Sequence, residues 1–258
     1  MTQRAMPPGR WSRFHAKFVV EERYLPAASR ARLYWTALIL VVLGLSAFIF
    51  LLVGVSTHTG FERLDQPVES WFDARRSAGA TNFMIALAVI FGPIALPIIV
   101  LVVIVAWGLA AKHAWRPLLL AAGMVTGVVL AQVLAPIVKH PRPPIDLMLF
   151  GSDKSFSFPS GHVLGASDFL LILAFLIASR RQRPVFTVVA FVVAALGILL
   201  QVASRLYLGY HWISDTSASM ALSLVVLGCI IAIDTRRTVR IRGERIEGEH
   251  SQLQVDGS

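Results

Sequence analysis

The 258-residue chain is 56% hydrophobic and only 15% charged, a balance that excludes an ordinary soluble domain and points to an integral membrane protein. Its formal net charge of +9 falls mainly in polar ends and loops and complements anionic lipid head groups, so nucleic acid is not needed to explain it. The single cysteine, Cys229, excludes an internal disulfide and reads as a small packing residue.

Residues 1–34 hold seven Lys or Arg against two acids and read as a basic cytoplasmic arm. The next apolar run is too long and too far in for a cleavable signal peptide. A span needs about 20 apolar residues, because ~30 Å of hydrocarbon is crossed at ~1.5 Å per residue. Six stretches qualify: 35–56, 83–107, 117–138, 163–178, 185–203 and 214–233. They predict an all-α polytopic membrane protein, a six-helix bundle over 35–233, with a polar cytoplasmic tail at 234–258. Between the first two spans, Glu62, Asp65, Glu69 and Asp73 suggest an amphipathic segment lying on the membrane, with no chemistry assigned to it. Gln132 and Gln201 are expected to bridge helices. Asp168, an ionisable group inside the fourth span, is expected to pack behind the site rather than act in it.

Lys and Arg concentrate on the side holding both chain ends, which the positive-inside rule makes cytoplasmic. Three polar segments then face outward: "KHPRPP" (139–144), "SFPSGH" (157–162) and "SRLYLGYHWISD" (204–215). Positive charge is disfavoured on that side, yet Lys139, Arg142 and Arg205 stand at its boundary. Taken singly, each could be an interfacial anchor. Two histidines, an aspartate and a Pro-Ser-Gly-His turn beside them call for chemistry instead. Arginine grips a tetrahedral oxyanion through its planar fork. Ser160 and Gly161 open a helix whose free backbone N–H groups cradle an anion. His211 and Asp215, four apart, would share a helix face. That pair either caps the helix or orients His211 as a nucleophile, leaving His162 to protonate a leaving group. No dense carboxylate cluster or His/Cys spacing predicts a metal ligand set, so neither metal nor cofactor is expected.

These residues resemble the three-part signature of the type 2 phosphatidic acid phosphatase superfamily, which includes membrane lipid phosphatases and vanadium haloperoxidases. Pro159-Ser160-Gly161-His162 matches its second part, and Ser204, Arg205, His211 and Asp215 match its third; the likeness covers residues 83–233. The first part departs from the pattern. Lysine is usual seven residues before Arg142, but Ala135 stands there and Lys139 lies three residues before Arg142.

The resemblance implies a metal-independent lipid-phosphate hydrolase with its site on the outer face of a bacterial cell membrane. His211 would form a phosphohistidine, Asp215 would orient it, and His162 would protonate the leaving group. Arg142, Arg205, Ser160, Gly161 and Lys139 would bind the phosphate. The substrate class is a lipid phosphate, with a polyprenyl diphosphate such as undecaprenyl diphosphate expected first. Phosphatidic acid and phosphatidylglycerophosphate are the alternatives, as is a phosphotransferase activity. A non-catalytic lipid-binding or transport protein is the competing class, against which the intact His162, His211 and Asp215 argue.

Overall fold

The computed structural model describes residues 20–110, 114–246 and 251–253. It is a bundle of apolar helices with a small sheet at one end. In chain order come β1 (Val20–Tyr24), α1 (Ala27–Thr57), a 3-10 turn (Gly60–Leu64), α2 (Asp65–Asp73), α3 (Ala78–Ile90), α4 (Ala95–Ala110) and α5 (Trp115–Val138). A second 3-10 turn (Ile145–Leu147) precedes α6 (Gly161–Arg181), α7 (Pro184–Tyr207), α8 (Ile213–Thr238), β2 (Val239–Arg240) and β3 (Ser251–Leu253). Helices α1, α5, α6, α7 and α8 are each long and apolar enough to cross a membrane.

The second expected span is not one straight helix. It breaks between Ile90 and Ala95, and α3 and α4 meet at 51°. The chain there reads Phe91-Gly92-Pro93-Ile94. Pro93 has no N–H to donate and biases Gly92 away from helical geometry, so a continuous apolar run carries a hinge.

The expected boundaries at 34 and 234 also move. Helix α1 begins at Ala27 and runs about 46 Å at ~1.5 Å per residue, and α8 continues to Thr238. Hydropathy ends a span at the first polar residues, whereas helical hydrogen bonding continues past the hydrocarbon edge. Residues 1–19 of the expected arm lie outside the described residues. Strand β1 comes next and forms the middle of a parallel three-stranded sheet. Arg23 pairs with Val239 on one side and Val20 with Ser251 on the other. Ion pairs fasten this sheet to the bundle, Arg116 to Glu21 at 3.1 Å and Arg23 to Asp234 at 3.8 Å, while Arg240 of β2 pairs with Glu22 of β1 within the sheet at 2.8 Å.

Close helix contact comes from small residues, because lipid supplies little hydrophobic drive between helices. A Cβ on Gly44 of α1 would sit 2.6 Å from the Ala221 carbonyl oxygen, and one on Gly228 of α8 would sit 2.7 Å from that of Ala37. Helix α6 lies at the centre, with most of its length buried. Asp168 is buried on it against Gly127 of α5, and neither carboxyl oxygen has a hydrogen-bond partner. Gln201 is likewise buried with both amide atoms unbonded, and Gln132 lines a cavity. The expected glutamine bridges between helices are therefore absent among the described residues. Cys229 is exposed on α8.

Candidate active site

The C-terminal ends of α5 and α7 and the N-terminal ends of α6 and α8 meet at the end of the bundle opposite the sheet. This convergence brings the three sequence segments together. Helix α5 stops because Lys139 turns left-handed at φ 55° while its N–H still bonds the Ala135 carbonyl at 3.0 Å. The next residues run back along the loop before α6. The Ser157 N–H donates to the His140 carbonyl at 2.9 Å, and the Trp212 indole N–H donates to the Pro141 carbonyl at 2.7 Å. Ser160 caps α6, accepting from the Val163 N–H. The Ser219 hydroxyl reaches both the Ser160 carbonyl at 3.0 Å and the Asp215 carbonyl at 2.9 Å, fixing the start of α6 against the first turn of α8.

The turn between α7 and α8 is set by Gly209, whose φ of 75° suits glycine. A Cβ there would collide with the Leu147 carbonyl oxygen, so only glycine lets this turn pack against the 145–149 segment. His211 therefore sits before α8 rather than on it, and the expected shared helix face does not exist. The contact forms through the cap instead. Asp215, in the first turn, accepts from the Trp212 N–H at 2.9 Å and stands 3.5 Å from His211 Nδ1. This pair is within ion-pair reach, although Nδ1 falls outside hydrogen-bonding geometry. Of the two sequence alternatives, the cap is the one formed here by a hydrogen bond.

His211 is buried, and burial pushes its imidazole down to about 4, against the upward pull of Asp215. It is thus the neutral base at ordinary pH. Its Nε2 lies 3.1 Å from Arg142 Nη1. Since arginine only donates, Nε2 carries the lone pair and Nδ1 the proton.

Arg142 is held on several sides. It donates to the Tyr210 carbonyl at 2.7 Å and to the Ser155 carbonyl at 3.1 Å, and it pairs with Asp153 at 2.9 Å. Burial alone would raise the Asp153 carboxyl, but hydrogen bonds from Ser155 and the charge of Arg142 hold it below its ordinary value. Arg205 differs. It is buried, stacks 4.4 Å above the Tyr210 ring, and its Nε has no hydrogen-bond partner. Arg142 thus has Asp153 as its ion-pair partner, whereas no ion pair joins Arg205 to a carboxylate among the described residues. His162 lies within the electrostatic range of Arg142, Arg205 and His211, and its Nε2 faces the Gly92 hinge. Gly161 is exposed, with open space where a Cβ would be. Lys139 is exposed too, and no hydrogen bond or ion pair joins it to these groups. The structure therefore does not bring it in with the arginines.

Sequence reasoning misses three residues. His140 lies inside "KHPRPP", where the cations on either side are the stronger signal. It is buried and donates from Nδ1 to Asp215 Oδ1 at 2.8 Å, the shortest contact that carboxylate makes. Asp153 lies in an unremarkable loop and carries no local signal. Asp65 reads as part of a surface segment. It is buried instead, accepting from the Ser214 N–H at 2.9 Å and the Ser214 hydroxyl at 2.7 Å. The first N–H groups of a helix lack internal partners, and Asp65 supplies one to α8. Burial pushes its carboxyl up to about 6, against those two bonds. Glu62, Asp65 and His140 approach one another within 4.8 Å. Both Asp65 oxygens are bonded to Ser214, His140 to Asp215 and Glu62 to His58, so the trio is already engaged elsewhere rather than forming an open cation cage.

An apolar cavity of about 590 Å³ opens beside His162 and runs between α4, α5 and α6, past Gly92, Leu96, Gly165 and Val128. His162 is the one site side chain in its lining, and apart from Gln132 the rest of that lining is apolar residues and glycines.

Residues 116–238 match the PAP2 superfamily. Phosphatidylglycerophosphatase B of Bacillus subtilis (strain 168) is 26% identical over 164 residues, spanning 61% of this chain and 71% of that protein. The crystal structure of a transmembrane PAP2-type phosphatidylglycerolphosphate phosphatase from Bacillus subtilis superposes with a TM-score of 0.67 at 21% identity. That match covers 75% of this chain and 96% of the other, and it establishes a shared fold.

Proposed function

From the match of residues 116–238 to the PAP2 superfamily, we propose that the chain is a membrane lipid-phosphate phosphatase that works through a phosphohistidine on His211, with a glycerophospholipid phosphate as first substrate. The observation that carries this reading is the pairing of a lone-pair-bearing His211 Nε2 with Arg142 at 3.1 Å, beside the unpartnered Nε of Arg205.

The phosphoryl oxygens take the Arg142 Nη1 bond away from Nε2 and fill the open side of Arg205. The freed Nε2 then attacks phosphorus, forming the P–N bond as the P–O bond to the lipid breaks. His162 supplies the proton that the leaving oxygen needs. Asp215 stabilises the positive charge that develops on the His211 ring. Water, deprotonated by His162, then attacks phosphorus, breaks the P–N bond and releases phosphate. Positioning and fixed positive charge provide most of the rate.

The name of the relative at 26% identity moves phosphatidylglycerophosphate ahead of the polyprenyl diphosphate favoured from sequence. The apolar cavity beside His162 has room for part of either lipid tail. Purified protein is expected to release phosphate from at least one of phosphatidylglycerophosphate, phosphatidic acid and undecaprenyl diphosphate. Release should persist in excess EDTA and be blocked by vanadate, which mimics a five-coordinate phosphoryl group. Silence on the whole panel, or a strict and reversible magnesium requirement, would overturn the mechanism.

Sidedness belongs to the same proposal. The sheet end of the bundle, rich in Arg, faces the cytoplasm and the site faces outward. A C-terminal reporter active only outside the cell would reverse that orientation.

A further inference from the structure

Asp215 is shared by two histidines. Its Oδ2 accepts from the Trp212 N–H and lies 3.5 Å from His211 Nδ1, while Oδ1 takes the 2.8 Å bond from His140 and a 3.3 Å bond from the Ser157 hydroxyl. His140 is 5% exposed, and carboxylates approach it from three elements: Asp215 of α8, Asp65 of α2 and Glu62 of the 3-10 turn before α2. A neutral ring there would take the charge away from the closest partner of Asp215 and leave the carboxylates of Asp215 and Asp65 repelling each other, which is costly where water is scarce. Burial works against a charge on His140, but the Asp215 bond and the surrounding carboxylates outweigh it and raise the imidazole above its ordinary value.

We propose that His140 is a charged positioning residue: an imidazolium that shares Asp215 with the nucleophile in a relay running from His211 through Asp215 and His140 to Asp65 and Glu62. The relay rests on the phosphohistidine reading above and adds a device to it. His140 takes the better hydrogen bond of Asp215 and part of its charge. His211 is thereby aimed by the carboxylate without being held in its protonated, unreactive form.

The sign of the effect is set by the groups that face His211. Asp215 and Asp153 favour its protonated form; Arg142 of the 139–144 loop and Arg205 of α7 oppose it, as does any charge on His162 of α6. His211 attacks only when neutral, so kcat/KM falls as pH drops through its pKa. Replacing His140 by an uncharged side chain delivers the full Asp215 charge to His211. The acid limb of the profile must then move up.

His140→Gln keeps a side-chain donor for Asp215 but removes the charge. It is expected to lower kcat about 10- to 100-fold with KM changed less than about threefold, and to raise the acid limb by about one pH unit relative to wild type on the same lipid. A second reading needs no turnover. In the ¹⁵N-histidine spectrum of the wild-type protein, the resonances assigned to His140 against single His→Gln variants should show both ring nitrogens protonated at pH 7, where a free histidine is mostly neutral.

A neutral His140 at pH 7 overturns the relay, even if the variant does not fold. A folded His140→Gln protein with wild-type kcat and an unmoved acid limb overturns it as well, and leaves the phosphatase reading standing. Absence of activity in wild type, with the imidazolium signature present, would sink the phosphatase reading alone.

Discussion

His211→Ala is expected to reduce phosphate release by at least about 10⁴-fold, or ~5.5 kcal/mol of transition-state stabilisation. In the proposed mechanism no other group can take this role. His162 faces the Gly92 hinge, and His140 is buried behind Asp215. Residual activity would come from direct attack by water on a phosphoryl group still held by Arg142 and Arg205. Brief incubation of wild type with ³²P-labelled lipid and a denaturing quench should trap an acid-labile phosphoenzyme, which His211→Ala should not form. His211 is nearly fully buried, so His211→Gln should be measured beside it, with a thermal melt of each. Native-like melting with full turnover in either variant would remove His211 from the mechanism.

The second large effect falls on Arg205. Arg205→Ala should lower kcat/KM about 10²- to 10³-fold, the usual cost of removing a fixed donor from a developing oxyanion. Arg205→Lys should recover little, because an ammonium cannot reproduce the planar fork stacked on Tyr210. Arg142→Ala should be at least as damaging, but its reading is less clean. Arg142 also ties Ser155, Asp153 and the Tyr210 carbonyl together, so the loop before α6 loosens with it. Lys139→Ala should cost no more than a few-fold, since the side chain is exposed and unpaired with the site. Kinetics of the four variants on one lipid settle the order. A Lys139→Ala loss equal to that of Arg205→Ala would mean that the lysine folds onto the bound phosphate.

The contrast between Lys139 and His140 shows where sequence reading reaches its limit. Both lie in one hexapeptide, and charge makes the lysine the obvious candidate. A left-handed cap at Lys139 places it in the exposed surroundings of the helix end and sends His140 inward to Asp215. That choice depends on how α5 ends and on what α8 presents to it, two elements far apart in sequence. Asp153 and Asp65 are similar cases. Each gains its partner, Arg142 or Ser214, only when separate segments meet, and neither leaves a local mark.

The sequence by itself determined everything that rests on short-range chemistry. Hydrocarbon thickness fixes span length, so long apolar runs disclosed the membrane helices without any knowledge of packing. Ser160 and Gly161 marked a helix start through capping and backbone freedom. Arg142, Arg205, His162, His211 and Asp215 stood out as candidates by residue type and by their likeness to the superfamily's signature. Tertiary structure decided how those parts relate in space. It placed the hinge at Gly92-Pro93 beside His162 and folded β1 between β2 and β3. It also gave the best hydrogen bond of Asp215 to His140 rather than to His211. Each of these depends on which buried polar group is left needing a partner once the helices have packed, and that requirement exists only in the assembled bundle.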